Sequence, residues 1–248
     1  MPTVIVTGGT QGIGADIARG FIEAGWAVAI GARTKSGLAE EVHDQLKFAP
    51  LDVRVAQDHM RLVELALEWT GQLDCYVNCA GRSQWKGIDE IDNEFLEDIL
   101  DVNLKGAFWG CQAASVRLTE GGSIINISSL AGKRGSANNS AYCAAKFGVN
   151  GLTQSLAKEL GPQGIRVNAL CPVYVRTPGV MSALLQPAAP PGGNSVDDYL
   201  EEFIAANTAL RRLPTGREIA NTCLFLASSA SSAITGQCIN VDCGVLPQ

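Results

Sequence analysis

Thr7-Gly8-Gly9-Thr10-Gln11-Gly12-Ile13-Gly14 follows a short apolar run, Val4-Ile5-Val6, and precedes an amphipathic stretch at residues 15–24. The run predicts a buried strand, and the stretch predicts a helix. Glycines in such a turn let the backbone approach a phosphate, and the helix N-terminus adds free N–H groups and the positive end of its dipole. The turn therefore predicts a phosphate-binding site. Its spacing, Gly8-x-x-x-Gly12-x-Gly14, differs from the usual dinucleotide pattern G-x-G-x-x-G, and glycine-rich turns also occur without ligands.

The rest of the chain alternates short apolar runs with longer helical patterns. Strands are predicted at residues 4–6, 27–31, 48–51, 73–78, 123–127, 166–170 and 238–241. Helices are predicted at residues 15–24, 38–46, 55–70, 95–117 with a break near Lys105-Gly106, 141–160 and 218–227. Strands that alternate with helices form βαβ units with right-handed crossovers. The sequence thus predicts an α/β fold, a Rossmann-like doubly wound parallel sheet of about seven strands with helices on both faces.

One segment breaks this alternation. Residues 178–214 lie between the sixth predicted strand and the last predicted helix, and they contain Gln186-Pro-Ala-Ala-Pro-Pro-Gly-Gly-Asn194 and a helical pattern at 196–207. A segment this long inside a compact domain is usually functional or disordered. We interpret residues 1–248 as a single domain in which residues 178–214 cover the site and carry a mobile tip. An ordinary surface loop is the alternative.

Composition argues against several classes of protein. The 248 residues are 46% apolar, which is enough for a sizeable core, and they carry a net charge of -6. An acidic chain without a basic block is a poor partner for nucleic acid or an anionic membrane, although local groups can still hold a small anion. Eight cysteines without a Cys-x-x-Cys pair, and only two histidines, predict no metal site and no disulfide scaffold, so we expect reduced, mostly buried thiols. The chain shows no signal-peptide pattern and no apolar run of the about 20 residues that a membrane helix needs, so we expect a cytoplasmic protein.

Tyr142 and Lys146 stand four residues apart in a predicted helix and therefore share one of its faces. A phenol has a pKa of about 10. An ammonium about 4 Å away, at an effective dielectric near 20, favours the phenolate by roughly 4 kcal/mol. That energy could lower the pKa by as much as about three units. The pair predicts a tyrosine that donates and accepts protons near neutral pH. Taken alone, the spacing more often marks a half-buried tyrosine beside a solvated lysine.

The motifs, in their order, resemble the short-chain dehydrogenase/reductase family over essentially the whole chain. The turn at residues 7–14 resembles that family's T-G-x-x-x-G-x-G, and Tyr142 with Lys146 resembles its Y-x-x-x-K. Ser129 precedes Tyr142 by thirteen residues, as the family's catalytic serine does. Asn78-Cys79-Ala80-Gly81 resembles the family's N-N-A-G, with Cys79 in place of an asparagine, and Asn103 resembles its active-site asparagine. Pro172-Val173-Tyr174-Val175-Arg176-Thr177 resembles P-G-x-V-x-T, with Val173 in place of glycine. Near the end of the sequence, Thr235-Gly236-Gln237 resembles T-G-Q and Val241-Asp242-Cys243-Gly244 resembles V-D-G-G.

The resemblance implies an oxidoreductase that interconverts a secondary alcohol and a ketone with a nicotinamide cofactor, on one dinucleotide-binding and catalytic domain. It assigns proton transfer to Tyr142 and a hydrogen bond to the reacting oxygen to Ser129. It assigns to Lys146 both a lowering of the tyrosine pKa and a contact with the nicotinamide ribose. Asn103 would hold a water that links Lys146 to solvent. Two alternatives remain, because Ser129 could merely cap a turn and Asn103 could merely pin a helix kink.

The resemblance also implies which residues hold the cofactor. They are Gly8, Thr10, Gln11, Gly12, Ile13, Gly14, Arg33, Thr34, Asp52, Val53, Asn78, Ala80, Gly81, Tyr142, Lys146, Pro172, Val175 and Thr177. Asp52 would accept a hydrogen bond from the adenine amino group, or it could be an ordinary turn or N-cap aspartate. At the end of the second strand an acidic residue selects NAD, whereas an arginine accommodates the phosphate of NADP. Ala32 stands there and Arg33 follows, so we expect NADP(H); NAD(H) is the alternative if Arg33 only stacks on adenine.

Substrate contacts are expected from three segments that follow Gly81, Ser129 and Thr177. The residues are Arg82, Ser83, Trp85, Leu130, Lys133, Arg134, Asn139, Tyr174 and Arg176. The cations among them suggest a small anionic alcohol or ketone, unless they are solvated surface groups. Because the family is commonly tetrameric, we expect a homotetramer built on residues 95–117 and 141–160. Two other classes stay open: a nicotinamide-sensing protein without turnover, and a non-redox enzyme such as an epimerase or dehydratase.

Overall fold

The computed structural model describes residues 1–41 and 43–247. Its strands form one sheet in the order β3-β2-β1-β4-β5-β6-β7. Every strand pair is parallel. The strands are β1 (Thr3–Thr7), β2 (Ala27–Ala32), β3 (Leu46–Pro50), β4 (Cys75–Asn78), β5 (Ser123–Ile127), β6 (Arg166–Pro172) and β7 (Cys238–Val241). Strands β2 and β3 are added on one side of β1, and β4 to β7 on the other, so the topological switch point lies between β1 and β4. In such sheets ligands bind at that point, in the crevice outside the carboxyl ends of the strands.

Eight α-helices connect and cover the strands within the described residues. They are α1 (Gly12–Glu23), α2 (Ala56–Thr70), α3 (Asn93–Leu100), α4 (Gly106–Ser115), α5 (Ser140–Leu160), α6 (Pro178–Leu184), α7 (Val196–Asn207) and α8 (Gly216–Ala227). A π-helical turn at Asp101–Lys105 separates α3 from α4. The predicted break near Lys105-Gly106 is confirmed, and so is the predicted doubly wound parallel sheet.

The predicted helix at 38–46 is wrong. Only Gly37–Glu40 forms a single 3-10 turn, and β3 already begins at Leu46. Leu46 pairs with Val28 of β2, so this apolar residue belongs to the sheet rather than to a helix face. Position 42 of the predicted helix lies outside the described residues.

Two apolar cores lie on opposite faces of the sheet, because successive strand side chains point to opposite sides. Val4 and Val6 face a core that contains Phe21 of α1 and Ile219 of α8. Ile5, between them in sequence, faces a second core shared with α2, α4 and α5. Burial on both faces explains why the strands read as unbroken apolar runs.

Residues 178–214 are a folded unit with a small core of their own. Leu184, Val196, Leu200 and Leu213 are buried together, which confirms the predicted helix at 196–207 as α7. The ring centroids of Tyr174 and Phe203 lie 5.0 Å apart, so α7 packs against the segment that leaves β6. Arg176 adds ion pairs with Asp197 and with Glu201 of α7.

The turn that follows α6 is tied to the body of the protein. The Trp85 N–H donates to Gln186 Oε1 at 2.7 Å, and Asn138 Nδ2 donates to the Ala188 carbonyl at 3.1 Å. Trp85, Ala183 and Ala189 are buried together at this junction. Contacts of its helices and of the turn at residues 186–194 thus hold the unit against one side of the crevice. The predicted mobility of this turn stays a prediction.

All eight cysteines are free, and five are buried. Across residues 1–41 and 43–247, His, Cys, Asp and Glu side chains form no group of three or more that could hold a metal ion. In the same part of the chain no helix has the length and apolar character needed to cross a bilayer.

Candidate active site

A cavity of about 630 Å³ lies at the carboxyl ends of the strands. Its wall includes residues that directly follow β1, β3, β4, β5 and β6, together with residues at the end of β2. The predicted site residues that line it are Gly8, Thr10, Gln11, Gly12, Ile13, Gly14, Arg33, Thr34, Asp52, Val53, Ala80, Gly81, Ser129, Tyr142, Lys146, Pro172, Val175 and Thr177. Asn78 and Asn103 do not line it. The Gly8–Gly14 turn, predicted to bind phosphate, and the Tyr142–Lys146 pair, predicted to transfer protons, therefore line the same cavity.

The glycine turn is shaped for close approach of a ligand to the backbone. Gly8 and Gly12 have φ values of 69° and 54°, in the left-handed region that other residues rarely adopt. A Cβ on Gly14 would lie 2.2 Å from the Gly8 carbonyl oxygen, so no side chain fits there. Helix α1 starts at Gly12 with no acidic residue in its first turn, and Gln11 makes no side-chain cap. The first N–H groups of a helix lack intrahelical partners, and this arrangement fits a bound pyrophosphate.

Cys79 and Val173 depart from the family pattern, and both line the cavity. The turn after β4 keeps its shape through the backbone, because the N–H groups of Cys79 and Ala80 both donate to Thr7 Oγ1, at 3.0 and 3.1 Å. Burial raises the pKa of the Cys79 thiol to about 12. Cys79 is therefore a neutral apolar wall residue at neutral pH rather than a thiolate.

Tyr142 and Lys146 lie on α5, one turn apart, as predicted. Lys146 is only 4% exposed, and its Nζ donates to the Ile127 carbonyl at 2.9 Å. The same nitrogen lies 5.6 Å from the centroid of the Tyr142 ring. The strand β5 and the helix α5 thus hold the ammonium beside the phenol, at the bottom of the cavity.

The pKa of Tyr142 shifts in the direction opposite to the one expected from the sequence. Burial raises it to about 12, and the influence of the Ser129 hydroxyl opposes this rise. Burial also lowers the pKa of Lys146 to about 8. Desolvation disfavours both charges, and it is the largest cause of each shift. Tyr142 therefore keeps its proton at neutral pH.

Ser129 caps a turn, as one of its two interpretations expected, and its hydrogen bond to the reacting oxygen stays a prediction. Its Oγ accepts from the Ala131 N–H at 3.1 Å and so caps the short turn Leu130–Gly132. The same hydroxyl acts on the phenol of Tyr142, because it lowers the pKa of that phenol against the effect of burial. A hydroxyl has one donor and two acceptor positions. Capping therefore orients Ser129 without preventing it from meeting a ligand oxygen beside the phenol.

Asn103 ties the π-helical turn to the wall of the cavity. Its Oδ1 accepts from the Arg82 N–H at 3.1 Å, and its Nδ2 donates to the carbonyls of Arg82 and Ile99, each at 2.9 Å. A Cβ on Gly81 would lie 2.9 Å from Asn103 Oδ1, so the turn after β4 packs tightly on this amide. The geometry supports the alternative of a pinned kink, and the predicted water stays a prediction.

The Asn78 side chain points behind the cavity, and this corrects its predicted contact with the cofactor. Its Nδ2 donates to Asn126 Oδ1 at 2.9 Å, and Asn126 donates in turn to Thr153 Oγ1 at 2.9 Å. These amides connect β4, β5 and α5. Asn78 therefore supports the site from inside the core through its Nδ2, whereas its buried Oδ1 has no partner among the described residues.

The far end of the cavity holds Arg33, Asp52 and Arg54. Asp52 pairs with Arg54, Nη2 to Oδ2 at 2.6 Å, and this hydrogen bond is the largest cause of its lowered pKa. Arg33 is exposed and lines the cavity where β2 ends. Sequence reasoning missed Arg54, which also lines the cavity; its position two residues after Asp52 was the available signal. A ligand would meet two guanidinium groups and one carboxylate that is already paired.

The other end of the cavity combines apolar and aromatic side chains with several polar ones. Of the residues expected there, Arg82, Ser83, Trp85, Leu130, Arg134, Asn139 and Tyr174 line it, and Lys133 and Arg176 do not. Arg82 pairs with Asp98 at 2.8 Å, and Arg176 pairs with α7. Sequence reasoning missed Val180, Ala183, Leu184 and Phe203, which the folded unit at 178–214 contributes. The suggested cluster of cations is thus reduced to Arg134.

A doubly wound sheet with a phosphate turn and a hydroxyl pair in one cavity defines a dinucleotide-dependent oxidoreductase as the class of protein. A family model described as "Enoyl-(Acyl carrier protein) reductase" matches residues 8–246. The 3alpha-hydroxysteroid dehydrogenase of Mediterraneibacter gnavus is 36% identical, covering 96% of this chain and 94% of its own. The L-2,3-butanediol dehydrogenase of Corynebacterium glutamicum is 35% identical, covering 98% and 97%.

A solved structure of a related enzyme has the same fold. A variant of the actinorhodin polyketide ketoreductase, crystallised with NADPH, superposes with a TM-score of 0.89 at 31% identity, covering 98% of this chain and 97% of its own. The chain belongs to the short-chain dehydrogenase/reductase family. It is an enzyme of that family, and the resemblance seen in its motifs is confirmed.

Proposed function

We propose that the protein interconverts a secondary alcohol and a ketone with a nicotinamide cofactor, NADP(H) being favoured over NAD(H). The observation that carries this proposal is that Ser129, Tyr142 and Lys146 line the same cavity as the Gly8–Gly14 turn. The related dehydrogenases named above act on alcohol groups, which supports the same chemistry here.

The residues of this chain would divide the work as follows. The turn and the start of α1 would hold the pyrophosphate, and the bound nicotinamide would supply or accept the hydride. Ser129 and Tyr142 would both hydrogen-bond the substrate oxygen. Tyr142, with a pKa of about 12, is protonated at neutral pH and suited to donate a proton as a carbonyl is reduced. Lys146, fixed by the Ile127 carbonyl, would place its charge beside the phenolate that forms.

A panel of carbonyl compounds, followed by nicotinamide absorbance, tests the proposal. We expect net oxidation of NADPH with at least one ketone. The family description names enoyl reductases, so an enoyl thioester belongs in the panel; turnover of that compound alone would contradict ketone reduction. Binding without turnover would indicate a sensing protein, and a product without net cofactor change would indicate an epimerase or dehydratase.

Arg33 is expected to set the cofactor preference. In Arg33→Ala, kcat/KM with NADPH should fall about 10- to 100-fold, because a charge-assisted bond to the 2′-phosphate is lost. The value with NADH should change by less than about threefold, since NADH lacks that phosphate. Arg61→Ala is the matched control, because Arg61 is an exposed arginine paired with Asp58 on α2 and does not line the cavity. A wild-type enzyme that prefers NADH would contradict the preference.

We propose a homotetramer that buries the outer faces of α3, α4 and α5. Large apolar side chains are exposed there: Phe108 and Phe147 are 46% and 48% exposed. Leu96 of α3 and Val116, directly after α4, are also exposed, at 37% and 59%. Such patches usually mark an interface. Light scattering should give four times the 26.1 kDa chain mass, and a stable monomer at assay concentration would contradict the proposal.

A further inference from the structure

Asn139 carries a buried polar atom without a hydrogen-bond partner in the part of the chain that the structure describes. The residue is 4% exposed, and its Oδ1 has no hydrogen-bond partner within residues 1–41 and 43–247. The side chain lines the cavity, at the end where substrate is expected. An unsatisfied buried acceptor is costly, and native proteins retain few of them.

Asn139 is the N-cap residue of α5, yet its side chain does not cap the helix. Asparagine is a preferred N-cap because its side-chain oxygen accepts an N–H of the first turn. Asp92, Thr177, Ser195 and Thr215 each make such a bond at the start of their helices. At Asn139 only the backbone carbonyl is used, accepting from the Cys143 N–H at 2.9 Å. The side-chain amide of Asn139 therefore does not act as a helix cap.

Asn139 lines the same cavity as Ser129 and Tyr142. It immediately precedes α5, and Tyr142 lies in the first turn of that helix. Leu130 and Tyr174 line the same end of the cavity, and so do the polar side chains of Ser83, Arg134 and Ser136. A substrate whose carbonyl oxygen lies between Ser129 and Tyr142 would present its adjoining carbons to Asn139.

We infer that Asn139 determines specificity by hydrogen-bonding a hydroxyl on the first or second carbon beside the reacting carbonyl. The substrate class is then a hydroxyketone, or the corresponding diol in the reverse direction. A hydroxyl suits the amide because it donates to the oxygen of an amide and accepts from its nitrogen. This inference rests on the proposed ketone reduction, of which it names the substrate.

A matched series of four-carbon ketones tests the inference: 3-hydroxy-2-butanone, 4-hydroxy-2-butanone and 2-butanone. We expect the wild-type kcat/KM for at least one hydroxyketone to exceed that for 2-butanone by about 10- to 100-fold, because 2-butanone leaves the buried amide unpaired. In Asn139→Leu, a substitution of similar size, the ratio should fall to within about threefold of unity. Asn139→Asp keeps an acceptor oxygen and should retain a preference.

Asn240→Leu is the matched control. Asn240 also has a buried Oδ1 without a partner among the described residues, but it does not line the cavity, so the substrate ratio should stay at the wild-type value. Equal kcat/KM values for the three ketones in the wild type, or an unchanged preference in Asn139→Leu, would overturn the inference while leaving ketone reduction intact.

Ligand-observed NMR on the NADPH-bound protein gives an answer that does not depend on turnover. Binding of 3-hydroxy-2-butanone or 4-hydroxy-2-butanone to the wild type but not to Asn139→Leu supports the inference even if no ketone is reduced. In that case it is the proposed reaction that fails. Equal binding by both proteins would overturn the inference.

Discussion

Replacing Tyr142 with phenylalanine should lower kcat for ketone reduction by at least about 1000-fold and leave the dissociation constant of NADPH within about twofold. Phenylalanine keeps the ring that packs beside the Lys146 ammonium and removes only the hydroxyl. Without it, Ser129 can still hydrogen-bond the carbonyl oxygen, but the phenol that would transfer a proton to that oxygen is gone. The loss should therefore fall on the chemical step rather than on binding.

The measurement pairs nicotinamide absorbance, for turnover, with a fluorescence titration, for cofactor binding. Tyr199→Phe is the matched control, since it deletes a phenolic hydroxyl that is bonded to Tyr174 and does not line the cavity. The control should keep kcat within about threefold, because positions away from the reacting atoms contribute little to the chemical step. A Tyr142→Phe enzyme with near wild-type kcat would remove the phenol from the mechanism.

The elements that the sequence predicted well are those whose signals are local. The runs at 4–6 and 123–127 are apolar throughout because both faces of a parallel sheet are buried, so their strands could be found without knowing their partners. The helix predicted at 38–46 failed for the opposite reason. Leu46 fits a helical pattern locally, and only its pairing with Val28 of β2 assigns it to a strand.

Within the site, too, local sequence predicted some features, whereas others depend on tertiary contacts. Spacing placed Tyr142 and Lys146 on one turn of helix, and the order of motifs placed Ser129 near them. The direction of the tyrosine pKa depends on burial, which is a property of the whole fold. Asn78 turns inward because of Asn126, 48 residues away, and no local pattern shows that contact.

The substrate end was the least predictable part. Leu184 and Phe203 reach the cavity only because α6 and α7 pack on each other and on the segment that leaves β6. Pairing with carboxylates likewise decides which cations are free: Arg176 is held by Asp197 and Glu201. Sequence therefore predicts the cofactor cradle and the proton-transfer pair, whereas tertiary packing sets the shape and polarity that select a substrate.

Gly14→Ala should abolish measurable binding of the cofactor, raising its dissociation constant by at least about 100-fold, since binding energy of about 2.7 kcal/mol or more would be lost. The added Cβ would lie 2.2 Å from the oxygen and 2.8 Å from the carbon of the Gly8 carbonyl. Both are backbone atoms, so no side chain can rotate away. The turn would have to open, which separates the N–H groups at the start of α1 from the position of the phosphate. Overpacking of this kind also costs about 1–3 kcal/mol of stability.

The test combines a fluorescence titration with NADPH and thermal unfolding of the variant without it, so that lost binding is distinguished from lost folding. Gly161→Ala is the matched control: Gly161 has helical angles, φ -53° and ψ -42°, and its added Cβ would meet nothing within 4 Å. Alanine there should leave binding unchanged and hold or slightly raise the unfolding temperature, because alanine has the higher helix propensity. A folded Gly14→Ala protein that binds NADPH as tightly as the Gly161→Ala protein would show that close contact between Gly8 and Gly14 is not what forms the phosphate site.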